Sequence, residues 1–137
     1  MLVDKELLLS DAQDLSQTAG SYYSTNVVDL GVIRDVGKGK QLYAVICVDE
    51  AFVGSGATVV FSVIDDNDGT LDASSVVLLS TPALGVAVLT LGRAPIVIPI
   101  PGNAMTQRYL GMKYVIAGAT TTAGTVTAFL AFDYQSN

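Results

Sequence analysis

The stretch "SVIDDNDGTLDASS", residues 62–75, packs the four carboxylates of Asp65, Asp66, Asp68 and Asp72 into eight positions, between two strongly apolar runs. Carboxylates at that density are the chemistry of a hard cation such as calcium. An EF-hand loop needs oxygen ligands at positions 1, 3 and 5, a glycine at 6 and a glutamate at 12. With Gly69 at position 6, Asp68 and Asp66 fill 5 and 3, but Ile64 falls at 1 and Ser75 at 12. The first and last ligands are missing, which leaves a looser site from the four aspartates as the alternative. The preferred reading is a turn: Asp, Asn and Gly accept tight or left-handed backbone, and clustered charge keeps a loop in solvent. No metal and no cofactor is expected.

Other chemistry is poorly supplied. There is no histidine, so His-based triads, general bases and zinc sites are excluded. The lone Cys47, inside "LYAVICV", has no imidazole partner and no second cysteine for an intramolecular disulfide, and reads as a small buried hydrophobe. Paired carboxylates can act as an acid–base couple, but only when held rigidly in a cleft; here they crowd one loop. "VGKGK" is glycine-rich but lacks the Walker pattern and a following helix. A net charge of −6 argues against nucleic acid, whose phosphates need Lys or Arg. The absence of tryptophan weakens a carbohydrate site, although six tyrosines are available. No catalytic residue is assigned, and the chain is not expected to be an enzyme.

Such residues need a scaffold, and 137 residues are one domain's worth. Alternation and β-branched residues outweigh helical periodicity almost everywhere. Strands are expected at 26–31, 41–49, 57–65, 75–80, 85–90, 94–100, 108–118 and 124–134. Within 57–65, Val59, Phe61 and Val63 share one face; within 124–134, Val126, Ala128, Leu130 and Phe132 do so and should point inward. Eight short strands joined by turns predict an all-β, jelly-roll-like sandwich. Pro95 and Pro99 place the sixth strand at an edge, since proline cannot donate to a central ladder.

Residues 1–25 lack sustained alternation. They are expected to form an N-terminal arm packed on the domain itself or on a neighbour, with the sandwich spanning 26–137; a strand of the same domain is the competing reading. Leu7, Leu8 and Leu9 cannot all face one side of a strand, so some should meet a second surface. The start shows acids where a signal peptide has its basic region, and the longest apolar stretch is broken by Pro82 and Gly85, short of the roughly 20 residues of a membrane span. A soluble protein made in the cytoplasm, with no membrane partner, is expected.

Half the residues are hydrophobic and only 15% are charged, an apolar excess that points to oligomers or a partner. Residues 41–92 hold six acids and no Lys or Arg, while 93–132 hold Arg93, Arg108 and Lys113 and no acid. Loops simply being charged would give this pattern. A dipolar surface suited to docking would give it too.

The opening "MLVDKELLLSDAQDL" followed by "TNVVDLG" resembles the capsid cement (decoration) proteins of short-tailed bacteriophages. "FSVIDDNDGTLDASSVVLLST", "IPIPGNAMTQRYLGMKYVIAG" and "TAGTVTAFLAFDYQ" extend the likeness along nearly the whole chain, in order. "GSYYST" and "DGTLD" look expanded by comparison. The resemblance implies a jelly roll on the outer surface of an icosahedral virion, contacting the major capsid protein and tying neighbouring capsomers together. It also implies a homo-oligomer, with a dimer favoured, and neither cofactor nor reaction. Strand addition at the arm and at the sixth strand, and electrostatic docking through Arg93, Arg108 and Lys113, are the expected contacts, with Leu7, Leu8 and Leu9 as the apolar ones. A carbohydrate- or receptor-binding virion module is the alternative, and a hydrolase using the acidic loop a further rival.

Overall fold

The structure is a computed structural model and describes residues 3–34 and 39–134. It is all-β, with two antiparallel sheets packed face to face. Among the described residues there are ten strands: β1 (Leu8–Asp14), β2 (Gly20–Tyr23), β3 (Val28–Asp29), β4 (Leu42–Val53), β5 (Thr58–Asp66), β6 (Val76–Ser80), β7 (Leu84–Gly85), β8 (Ile96–Ile100), β9 (Tyr109–Ala117) and β10 (Ala123–Ala131). No helix among them is long and apolar enough to cross a membrane.

One sheet runs β1-β10-β4-β8. The other runs β2-β9-β5-β6, with β3 on the same flank of β9 as β2, and β7 on the same flank of β5 as β6. Alternation explains both central strands of the second sheet. Val59, Phe61 and Val63 of β5 and Leu110, Met112, Tyr114 and Ile116 of β9 point inward and are at most 1% exposed. They meet Leu42, Ala44, Ile46 and Val48 of β4 and Val126, Ala128 and Leu130 of β10. Phe61 and Tyr114 cross edge to face, their ring centroids 5.8 Å apart. Burial pushes the Tyr114 phenol well above its usual pKa. Its hydroxyl is matched by Ser10 Oγ at 2.7 Å, one of the few polar contacts inside the core. Pro99 lies in β8, at a sheet edge as its missing N–H requires.

Three expectations change. Ten strands replace eight because residues 8–23, read as part of an arm, supply β1 and β2 on the chain's own sheets. Two register shifts and Ala12 in a left-handed conformation (φ 43°) break the alternation of β1, which hid it. The expected strand at 85–90 is mostly a short 3-10 turn, Val86–Val88, following β7. Phe132 does not join the inward row. β10 ends at Ala131, and Phe132 is 53% exposed, with Lys40 Nζ 5.5 Å from its ring centre.

Glycine is required where chains touch. A Cβ on Gly124 (φ 143°) would lie 2.5 Å from the Phe52 ring, so this irregular start of β10 admits no side chain.

Phe61→Ala should cost about 3–5 kcal/mol in chemical denaturation, while Phe132→Ala should cost under about 1 kcal/mol as a surface change. Equal losses would mean that the faces of β5 and β10 are wrongly assigned.

Candidate partner-binding surface

The acidic stretch begins inside β5. Asp65 continues the inward face after Val63, and both it and Asp66 are buried, at 0% and 1% exposure. Buried carboxylates are tolerated only when hydrogen-bonded. Asp65 Oδ2 accepts from the backbone N–H of Thr106 (2.7 Å) and Gln107 (2.9 Å) and from the Thr106 hydroxyl (3.1 Å). Asp66 accepts from the Asp68 N–H at 3.2 Å and from the Ser75 hydroxyl. Asp68 accepts from the Thr70 N–H, and Asp72 from the Ser74 N–H and hydroxyl. Asp66, Asp68 and Asp72 therefore organise the loop's own backbone as successive Asx turns, while Asp65 binds the 106–107 segment. The solvent reading holds for Asp68 and Asp72 and fails for Asp65 and Asp66, whose partners lie in distant or later segments. Among the described residues no three His, Cys, Asp or Glu side chains converge where a metal ion would sit.

The loop also packs. Leu71 covers Gly111 so closely that a Cβ there would lie 2.4 Å from it. Gly111 pairs with Ile64, which faces outward from the second sheet yet is wholly buried.

The expected docking cations each engage a group of the chain itself. Arg108 forms a two-pronged pair with Asp29, Nε to Oδ1 at 2.6 Å and Nη2 to Oδ2 at 2.7 Å. That pair, aided by the Gly31 N–H, holds the Asp29 carboxyl down at about 2. Lys113 sits with its Nζ 6.0 Å from the Tyr23 ring centre. Arg93 donates to the carbonyls of Val88 (2.7 Å) and Ala94 (3.2 Å). The charge separation in sequence is not one in space, because acid-bearing β5 pairs directly with β9.

The leucine triplet finds most of its cover at home. Leu9 is fully buried in the core, so it is closed to a partner; Leu7 packs against the core, and Leu8 pairs with Phe129 of β10. The tyrosines are dispersed. Tyr43 and Tyr134 meet edge to face beside the first sheet, Tyr23 and Tyr109 lie on strands of the second, and Tyr114 is internal. Cys47 is half-buried, and burial, then the Asp49 carboxylate, push its thiol up, away from thiolate chemistry.

Exposed apolar side chains were not singled out by sequence reasoning. The Phe52 N–H donates to the Leu89 carbonyl, which ties the 86–93 segment to the end of β4. Val53, at the end of β4, is 53% exposed, and in the segment bonded to it Val88 (52%) and Leu91 (67%) are exposed, with Arg93 bonded to the Val88 carbonyl. The chain is an all-β protein of two antiparallel sheets whose acidic loop is spent on its own structure. A family model, Bbp16, matches residues 9–130, from β1 through most of β10. The chain belongs to the Bbp16 family. No curated protein matches it.

Asp65→Ala orphans two backbone N–H groups and should cost about 1–3 kcal/mol or more in denaturant titrations, against about 0.5 kcal/mol or less for exposed Asp68→Ala. A neutral Asp65→Ala would show that this carboxylate does not hold the 106–107 segment. Asp29 is depressed in the folded state, so its contribution to stability is present above the ordinary value of 3.8 and is lost as pH falls towards about 2. Thermal melts should show a shallower loss over that window for Asp29→Asn than for the unchanged protein; identical slopes would remove the ion pair from the account.

Proposed function

We propose that this chain is a structural virion protein that binds the outside of an icosahedral phage capsid, contacts the major capsid protein and cements neighbouring subunits. The likeness of its sequence to cement proteins supports this reading. The observation that carries it is the exposure of the apolar side chains Val53, Val88 and Leu91, near the end of β4 and the segment bonded to it, on a domain whose acidic loop is committed to its own structure. The sandwich on this reading is a jelly roll of eight strand positions, β2 with β3 and β6 with β7 each counting as one interrupted strand. The sheet orders β1-β10-β4-β8 and β2-β9-β5-β6 support that count.

Cementing works by selective affinity. A protein that binds the assembled shell and not free subunits shifts the equilibrium toward assembly. Each contact is modest, and a homo-oligomer, a dimer for preference, multiplies them through avidity. Leu91 and Val88 supply apolar burial at roughly 25 cal/mol per Å², and Arg93 gives the contact direction.

The test adds the protein to shells stripped of it and then heats them. The unchanged protein should fill the shells and delay their loss, and Val88→Asp/Leu91→Asp should lower occupancy at least tenfold while melting normally in solution. Failure of the unchanged protein to bind shells would overturn the reading.

A further inference from the structure

We propose that Asp68–Gly69 is a site of backbone self-modification, where residue 68 rearranges through a succinimide to isoaspartate. The proposal concerns the acidic loop alone and is independent of the capsid reading.

The chemistry needs a carboxyl, an open peptide nitrogen one residue on, and room for a five-membered ring. The Gly69 nitrogen attacks Asp68 Cγ and gives up its proton. The N–Cγ bond forms, a Cγ–O bond breaks, and the oxygen leaves as water. Water then adds to one of the two ring carbonyls and opens the ring. Addition at the main-chain carbonyl leaves residue 68 joined to Gly69 through Cγ, which is isoaspartate; addition at Cγ restores aspartate. One water is released and one consumed, so the mass is unchanged and nothing is oxidised or reduced.

The fold offers several aspartates in a suitable posture but only one suitable neighbour. Asp4, Asp14, Asp29, Asp66, Asp68 and Asp72 each accept from the N–H two residues on, which folds the carboxyl back over the intervening peptide. The residues between are Lys5, Leu15, Leu30, Asn67, Gly69 and Ala73. Only Gly69 puts no Cβ in the path of the carboxyl and leaves the backbone free to reach the ring geometry. The Thr70 N–H holds Asp68 Oδ1 at 2.7 Å, and both Asp68 and Gly69 are exposed to the water that the second step consumes. The chain contains no other Asp-Gly and no Asn-Gly.

The consequence reaches beyond one side chain. Isoaspartate lengthens the main chain by a methylene and moves the carboxylate onto Cα. The turn onto Thr70 is lost, just before Leu71 takes its seat over Gly111. An aged copy therefore carries a looser acidic loop beside an intact β5–β9 pair.

The test compares the folded protein with Gly69→Ala. A Cβ on Gly69 meets only a Tyr109 ring carbon, at 3.9 Å, so this variant should fold normally. Both are held in warm, mildly acidic buffer. They are then read by methyl transfer from labelled S-adenosylmethionine with an isoaspartyl carboxyl methyltransferase, and by fragmentation mass spectrometry of peptides covering 65–75. The unchanged protein should accumulate isoaspartate at 68, roughly tenfold above residue 72, which has the same turn but Ala73 next, and roughly tenfold above residue 68 of Gly69→Ala. No isoaspartate at 68, or equal amounts at 72 or in Gly69→Ala, would overturn the proposal. In the modified fraction, amides of 69–71 should exchange faster while those of β5 and β9 do not change; unchanged exchange at 69–71 would overturn the loosening.

Discussion

The constraint that organises one end of this molecule is the burial of Asp65. Its position is dictated by the two-residue period of β5, which carries the inward face past Val63 and leaves a carboxylate where a hydrophobe would sit. An ionised group removed from water costs several kcal/mol unless its lone pairs are matched. The backbone N–H groups of Thr106 and Gln107 and the Thr106 hydroxyl match them. The link between β8 and β9 is thereby tied to the end of β5, just before Arg108 enters its pair with Asp29 on β3. Asp66, next in sequence and facing the other way, ties Ser75 at the threshold of β6. Two adjacent carboxylates thus anchor both the loop that leaves β5 and the segment that enters β9.

This arrangement turns an apparent chemical motif into architecture. Aspartates that look like cation ligands in a row serve different neighbours, because strand alternation sends Asp65 and Asp66 to opposite faces. The loop they hold lays Leu71 over Gly111, closing part of the second sheet's outer face. Exposed apolar side chains lie elsewhere: on the β6 edge, at Val53 and in the segment of Val88 and Leu91, and at Val32, Ile33 and Phe132.

Much of the fold was legible because β5, β9 and most of β10 alternate cleanly, and because Pro99 confines β8 to an edge. β1 was not, since its bulges between Leu8 and Ser10 and between Ser10 and Gln13 destroy the period by which a strand is recognised. Phe132 misled because alternation continues in sequence after the chain has left the sheet at Ala131. The burial of Asp65 was invisible because its partners lie about forty residues away. The charge contrast between the middle and the end of the chain misled for a related reason: antiparallel pairing of β5 with β9 interleaves what the sequence separates. The exposed end at Leu91 was read as strand or as part of a long apolar run, since hydropathy does not distinguish a buried valine from one on a protruding turn.

The central claim is that this chain works as a contact module on the outside of a shell. Cryo-electron microscopy of purified particles tests it most directly. The account predicts density for this sandwich on the outer capsid surface, spanning neighbouring major capsid protein subunits, with Val53, Val88 and Leu91 turned toward the shell. Absence of the chain from the particle, or its location inside the shell, would contradict it.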